Sequence, residues 1–241
     1  MVRSGLFDAL FAVWTALFAI FIPLFLMLGC PTSPIRATTR VWVRGGLFLL
    51  KHVVGLTHVV LRPADMSQGP FLIVANHQST WETLAFLAIF PDMAIVAKKE
   101  LLKVPVVSWY LAHSPMIIID RDEGSAALKT MLKQAATAIS EGRSVLIFPE
   151  GSRKPSDTPV TFRRGVELLY ARLNVPVLTV VVNSGRFWGV GMQNKRPGLI
   201  TVSLLPIIEP GFPPAKIAAQ IQSAMECERD RMNATTFGAG R

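Results

Sequence analysis

The sequence predicts an α/β domain, a mostly parallel sheet flanked by helices, behind an N-terminal helical segment that anchors it to a membrane. Three observations predict it. An uncharged stretch rich in Phe, Leu, Ile, Ala and Trp runs from Ala9 to Leu28. After the first sixty residues, short β-branched runs alternate with helix-length segments. Those runs are apolar without alternation, as strands covered on both faces are, and alternating elements of this kind build parallel sheets.

Taken in chain order, the anchor comes first. Twenty helical residues span about 30 Å, the thickness of a bilayer's hydrocarbon core. Only Arg3 and Asp8 precede the stretch, whereas Arg36, Arg40, Arg44 and Lys51 follow it. The positive-inside rule then places the rest of the chain in the cytoplasm, at the cell (inner) membrane. Pro23 interrupts the segment and is expected to kink it. A second apolar stretch, Gly46 to Leu61, is broken by Lys51, His52 and His58 and reads as interfacial. One spanning helix and a two-helix anchor dipping into one leaflet both satisfy the pattern. A cleaved signal peptide fits less well, since the apolar core is too long and the n-region carries a single basic residue.

The domain behind the anchor is expected to hold strands at Phe71–Ala75, Ala94–Ala97, Met116–Ile119, Ser144–Phe148, Val177–Val182 and Ile200–Leu205. Helices are expected at Trp81–Phe90, Glu123–Glu141, Phe162–Leu173 and about Pro214–Met232. The division is thus an anchor over residues 1–62, a catalytic domain over 63–233 and a loose tail over 234–241. Val190 to Pro197, with Arg186, Trp188 and Lys195 nearby, is a candidate loop over the site.

Composition narrows the partners. The chain carries 25 Lys and Arg against 16 Asp and Glu, a formal charge of +9, which favours anionic partners. Half of it is hydrophobic and only 17% charged, too greasy for a nucleic-acid module, and no zinc-finger or RNP-like pattern occurs. A basic and greasy chain reads as one attached to an anionic membrane surface. Cys30 and Cys227 lie far apart and suggest neither a disulfide framework nor a metal cluster.

Three polar clusters each follow a β-branched run. The first is Asn76-His77-Gln78-Ser79-Thr80-Trp81-Glu82. His77 and Glu82 are five apart, about 140° around a helix, so they meet only if His77 lies in the loop and Glu82 in the helix's first turn. An imidazole held by a carboxylate is a competent general base for a hydroxyl, contributing about 10²–10⁴-fold. Ser79-x-x-Glu82 is also a capping-box pattern, and the two roles are compatible. The second cluster is Phe148-Pro149-Glu150-Gly151-Ser152-Arg153-Lys154, where Gly151 permits close backbone approach and Arg153 and Lys154 can neutralise an anion. The third is Ile119-Asp120-Arg121, whose arginine suits a phosphate or an exposed ion pair. Lys98, Lys99 and Lys103 form a further basic group facing lipid phosphates or water. In a parallel sheet the three clusters converge on one edge, bringing His77, Arg121 and Arg153 into a single basic pocket.

These residues resemble the glycerolipid acyltransferase family that includes the 1-acyl-glycerol-3-phosphate acyltransferases. Its motif NHxSxxD is matched by Asn76, His77 and Ser79, with Glu82 in place of aspartate. A second motif resembles Ile118-Ile119-Asp120-Arg121. FPEGTR is matched from Phe148 to Arg153 with Ser152 for threonine, and a Val-Pro-Val stretch by Val175-Pro176-Val177. The resemblance implies that His77 deprotonates an acceptor hydroxyl, that Glu82 orients it, and that Arg121, Glu150, Gly151, Ser152 and Arg153 bind the phosphate. It implies acyl-CoA or acyl carrier protein as donor, a lysophospholipid as acceptor, and neither metal, cofactor nor covalent acyl-enzyme. Lysophosphatidate is the leading acceptor, with lyso-ornithine lipid or glycerol 3-phosphate as alternatives. A membrane esterase lacks a G-x-S-x-G elbow to support it. A non-enzymatic lipid binder leaves the paired His77 and Glu82 unexplained.

Overall fold

The computed structural model describes residues 1–64, 69–90, 92–120, 123–190 and 194–238. Two helices open the chain, α1 (Val2–Leu17) and α2 (Phe21–Met27), joined by a 3-10 turn at Phe18–Ile20. The break precedes Pro23, whose ring crowds the carbonyl four residues back and whose nitrogen donates no hydrogen bond. Together Val2–Met27 is long and apolar enough to cross a membrane. Gly29 and Cys30, both at positive φ, turn the chain into α3 (Thr32–Leu49), which packs back against α1 as an antiparallel hairpin. Trp14 Nε1 donates to the Trp42 carbonyl at 2.9 Å, and Trp42 Nε1 to Thr15 Oγ1 at 3.0 Å. A Cβ on Gly46 would stand 2.7 Å from the Phe11 ring, so glycine is what lets the two helices approach there.

A π-helical turn at Leu50–Val54 and the left-handed Gly55 end this hairpin and start β1 (Leu56–Leu61). The stretch read from the sequence as interfacial, Gly46 to Leu61, therefore divides. Its first part finishes a helix and its last part is an edge strand of the sheet. The remaining elements follow as β2 (Leu72–Ala75), α4 (Thr80–Ile89), β3 (Met93–Lys98), a 3-10 turn, α5 (Val107–His113) and β4 (Ile117–Ile119). Then come α6 (Ser125–Ser140), β5 (Ser144–Ile147), α7 (Gly165–Leu173), β6 (Val177–Val182), the single-turn α8 (Gly185–Trp188), β7 (Gly198–Leu204) and α9 (Pro214–Gly238). The last helix reaches Gly238, within the segment 234–241 expected to be a loose tail, of which 239–241 lie outside the described residues.

The described strands form one sheet in the order β1-β7-β6-β2-β5-β3-β4. β6, β2, β5, β3 and β4 are mutually parallel; β7 joins β6 antiparallel and carries β1 parallel to itself. The fold is the α/β class expected, a mostly parallel sheet with helices on both faces. Alternate strand residues explain the unbroken apolar runs. Leu72, Val74, Val145 and Ile147 face α6, α7 and α9, while Ile73, Ala75 and Leu146 face α4 and the start of the hairpin. A third apolar cluster joins Phe18, Phe25, Ile35, Trp42 and Val43 of the hairpin to Tyr110 of α5.

This topology creates a crevice. From the carboxyl end of β2 the chain leaves to α4 on one face; from the adjacent β5 it leaves to α7 on the other. Where two neighbouring connections part in this way, the loops above the strands are held open around a space.

Candidate active site

The loop after β2 begins with Asn76, whose side chain replaces a rung of the ladder. Its Nδ2 donates to the Val182 carbonyl at 2.9 Å, and its Oδ1 accepts from Val182 N–H at 2.8 Å. The end of β2 is thereby fixed to the end of β6, and His77 projects just beyond. Ser79 caps α4 in a capping box with Glu82. Glu82 is fully buried and its carboxylate collects four donors. Oε1 accepts from Gln78 N–H at 2.7 Å and Ser79 N–H at 2.6 Å, and lies 2.9 Å from His77 Nδ1; Oε2 accepts from the Ser184 hydroxyl at 2.7 Å. The cap and the histidine contact are thus one structure. An acceptor-only neighbour puts the imidazole proton on Nδ1 and leaves Nε2 as the basic nitrogen. His77 stacks on Phe148 at 4.2 Å between centroids, which holds the ring flat against the next loop.

That loop carries the second cluster. Gly151 N–H closes a turn onto the Phe148 carbonyl at 3.0 Å, and Gly151 sits at φ +74°, a conformation glycine adopts without strain. Glu150 is turned away from solvent, and its Oε2 accepts from the backbone N–H of His77 at 2.6 Å. Burial pushes its carboxyl up to about 7; the nearby Glu82 adds to the shift, while the His77 N–H and Lys154 oppose it. Its side chain therefore braces the histidine loop, a contact different from the phosphate-binding part the family resemblance implied. Lys154 N–H donates to the His77 carbonyl at 2.7 Å, so the two loops are tied at three points.

Between them opens a cleft of about 480 Å³. Its mouth is polar and basic: His77, Thr80, Lys98, Ser152, Arg153 and Arg163. Arg153 is exposed and donates to Thr80 Oγ1 at 2.9 Å. Its interior is apolar, lined by Ile95, Ile119, Leu128, Met131, Ile147 and Phe148. The expected gathering of polar clusters at one sheet edge is seen for His77, Gly151, Ser152 and Arg153. Ile119 of the third cluster also reaches the cleft, Asp120 pairs with Lys99 at 3.1 Å, and Arg121 lies outside the described residues.

Sequence reasoning passed over Arg163 and Ser184, and named Thr80 in the first cluster without giving it a role. Arg163 had no local signal, since it is brought to the mouth by the turn into α7. Ser184 did have one: Asn183-Ser184 directly follows the β-branched run of β6, as the other polar clusters follow theirs. Of the segment Val190 to Pro197, expected over the site, the described Lys195 lies against α1 and not at the cleft, as does the nearby Trp188. Trp188 lies edge-on to Phe7 of α1 at 6.0 Å, and Lys195 Nζ reaches Asp8 at 2.6 Å. Residues 191–193 lie outside the described part.

Comparison with known proteins gives the same family as the motifs. The model of the acyltransferase family matches residues 54–183, more than half of the chain. A 1-acyl-sn-glycerol-3-phosphate acyltransferase of Pseudomonas aeruginosa is 36% identical over 199 residues, covering 80% of this chain and 77% of that one. The enzyme of the same name from Saccharomyces cerevisiae is 30% identical over 148 residues, covering 59% of this chain and 49% of its own. In fold, the chain resembles the crystal structure of the 1-acyl-sn-glycerophosphate (LPA) acyltransferase, PlsC, from Thermotoga maritima. The TM-score is 0.73 at 20% identity, covering 96% of this chain and 98% of that one. The chain belongs to the acyltransferase family of enzymes.

Proposed function

We propose that the enzyme transfers a fatty acyl group from acyl-CoA or acyl carrier protein to the sn-2 hydroxyl of 1-acyl-glycerol 3-phosphate, forming phosphatidate. The observation that carries this is His77, held through Nδ1 by a buried carboxylate at the mouth of a cleft that is basic outside and apolar within. The basic mouth suits the acceptor's phosphate and the apolar interior an acyl chain. Relatives named for this reaction support the acceptor.

The step balances as follows. Nε2 of His77 takes the hydroxyl proton as the acceptor oxygen attacks the thioester carbonyl carbon. Glu82, against Nδ1, stabilises the imidazolium that forms. The tetrahedral intermediate collapses with cleavage of the C–S bond, and the departing thiolate recovers the proton from His77. No metal and no cofactor enter the step as written.

The enzyme works at the cell (inner) membrane with its domain on the cytoplasmic side, in keeping with the cationic residues that follow the apolar helix. Of the two anchor arrangements, packing supports the two-helix one. The N-terminal helices touch the rest of the chain from Ser4, bonded to Lys195, to Phe25, packed on Trp109 and Tyr110. Their opposite side exposes Leu6, Leu10, Val13, Leu17, Ile20, Leu24 and Met27, a helical stripe suited to lipid.

The test is transfer of labelled acyl groups to lysophosphatidate by membranes carrying the protein, with His77→Ala as control. Product with the parent and none with the variant is expected. A folded parent that makes no phosphatidate from either donor would direct the assignment to another lysolipid acceptor.

A further inference from the structure

Glu82 is gripped from two parts of the chain. Its Oε1 is surrounded by donors from its own loop, namely Gln78 N–H, Ser79 N–H and His77 Nδ1. Its Oε2 has one hydrogen-bond partner among the described residues, the Ser184 hydroxyl 102 positions away, at 2.7 Å. Both side chains are fully buried. The difference matters because the terminal torsion of glutamate is soft and broad. Donors gathered on one oxygen fix its position but leave the carboxylate plane free to turn about it. A donor on the other oxygen stops that rotation and keeps the Oε1 lone pair directed at Nδ1.

Ser184 is itself held firmly. Its carbonyl accepts from Phe187 N–H and Trp188 N–H at 3.0 and 2.9 Å, forming the single turn of α8. Gly185 N–H donates to Gln78 Oε1 at 3.1 Å, and a Cβ on Gly185 would stand 2.9 Å from Gln78 Cβ. The turn thus sits against the histidine loop as closely as a glycine permits. Its far end carries Trp188, packed on Phe7 of α1 and beneath the Lys195 ammonium at 4.6 Å. A hydroxyl on so rigid a mount is suited to hold a plane rather than to follow it.

We propose that Ser184 is a positioning residue of the acyl transfer: by holding Oε2 of Glu82 it keeps the carboxylate aligned with His77 Nδ1 through the proton transfer. This rests on the reading of His77 as the general base. If the hydroxyl merely satisfied a buried oxygen, its loss would lower stability and leave turnover of the folded enzyme unchanged.

The experiment compares kcat and KM for lysophosphatidate, with thermal stability measured alongside, in the full-length membrane-bound protein. The variants are Ser184→Ala, Ser184→Thr, Ser184→Cys, Glu82→Ala, the Ser184→Ala/Glu82→Ala pair, and His77→Ala. Ser184→Ala is expected to lower kcat about tenfold or more, the scale of one hydrogen bond to a charged group, with KM within about twofold. Ser184→Thr keeps the hydroxyl and restores most of the rate. Ser184→Cys keeps the volume but offers a weak donor, so it shows the loss in a folded protein even if the alanine variant does not fold. In the Glu82→Ala background Ser184→Ala costs nothing further, because the group it acts through is gone. Parent-like kcat in the folded Ala and Cys variants, or an undiminished tenfold loss on top of Glu82→Ala, would overturn the proposal. Transfer that survives His77→Ala would instead remove its premise, whereas an inactive His77→Ala beside an unaffected Ser184→Ala refutes the role of Ser184 alone.

Discussion

Replacing Glu82 by glutamine changes one charge and almost no volume, and it separates the two jobs this side chain performs. The amide oxygen in the place of Oε1 still accepts from Gln78 N–H, Ser79 N–H and His77 Nδ1. The amide nitrogen falls in the place of Oε2, where the Ser184 hydroxyl can turn to accept from it. Four charge-assisted bonds become neutral ones, a stability cost of about 1–3 kcal/mol. Catalysis loses more. At 2.9 Å the carboxylate and the imidazolium attract by up to about 6 kcal/mol at an effective dielectric of about 20. A base of this type contributes about 3–5 kcal/mol, or 10²–10⁴-fold. Glu82→Gln is therefore expected to fall at least about a hundredfold in kcat while the protein stays folded and membrane-bound. Initial rates of labelled acyl transfer, normalised to folded protein by thermal melting, measure it. A variant that melts like the parent and keeps more than about a third of its turnover would refute the reasoning, because the charge would then play no part in the proton transfer.

Two further outcomes follow from the same geometry. Burial pushes the Glu150 carboxyl up to about 7, so the folded protein keeps a proton that the unfolded chain loses near 4.5. That contribution is fully present below about 4.5 and is lost as pH rises through 7, a change of about 3 kcal/mol. Glu150→Gln, which retains an acceptor for His77 N–H, should flatten the fall in thermal stability between those pH values; melting curves with the parent's pH slope would contradict this. Leu17 and Leu24 lie on the exposed apolar stripe. Leu17→Glu with Leu24→Glu places two charges against lipid at about 2–3 kcal/mol each but breaks little packing, so the protein should move from the membrane pellet to the supernatant with nearly unchanged melting. Continued sedimentation with membranes would show that this stripe does not hold the protein there.

Much of the sheet was legible because its strands are buried on both faces. The runs at Phe71–Ala75, Ser144–Phe148 and Val177–Val182 are apolar but for Ser144 and Thr179, and they became β2, β5 and β6 within a residue or two of the expected limits. β1 was missed for the opposite reason. It is an edge strand with half its residues exposed, it carries His58, and its partner β7 lies about 140 residues away. Nothing local distinguishes such a strand from an interfacial segment. The C-terminal helix was likewise expected to stop near Met232. Its extension to Gly238 follows no apolar periodicity, and we have no sequence-level account of it.

At the candidate site, residue types and spacing already determined that His77 and Glu82 could meet only across a loop and a first helical turn, because five residues on one helix would have kept them apart. They also determined that this loop and the one bearing Gly151 and Arg153 follow strands, hence that polar groups would gather at one edge. Which strands lie side by side was decided only in three dimensions. β5 inserts between β2 and β3, so the loops at residues 76 and 148 become neighbours although more than seventy positions separate them. That adjacency aims Glu150 at the His77 backbone rather than at the cleft, and the neighbouring β6 delivers Ser184 to the carboxylate. Short-range steric and hydrogen-bonding rules specify a capping box or a strand from a few residues. Long-range pairing depends on how whole apolar faces are buried together, and no local stretch of the chain contains that information.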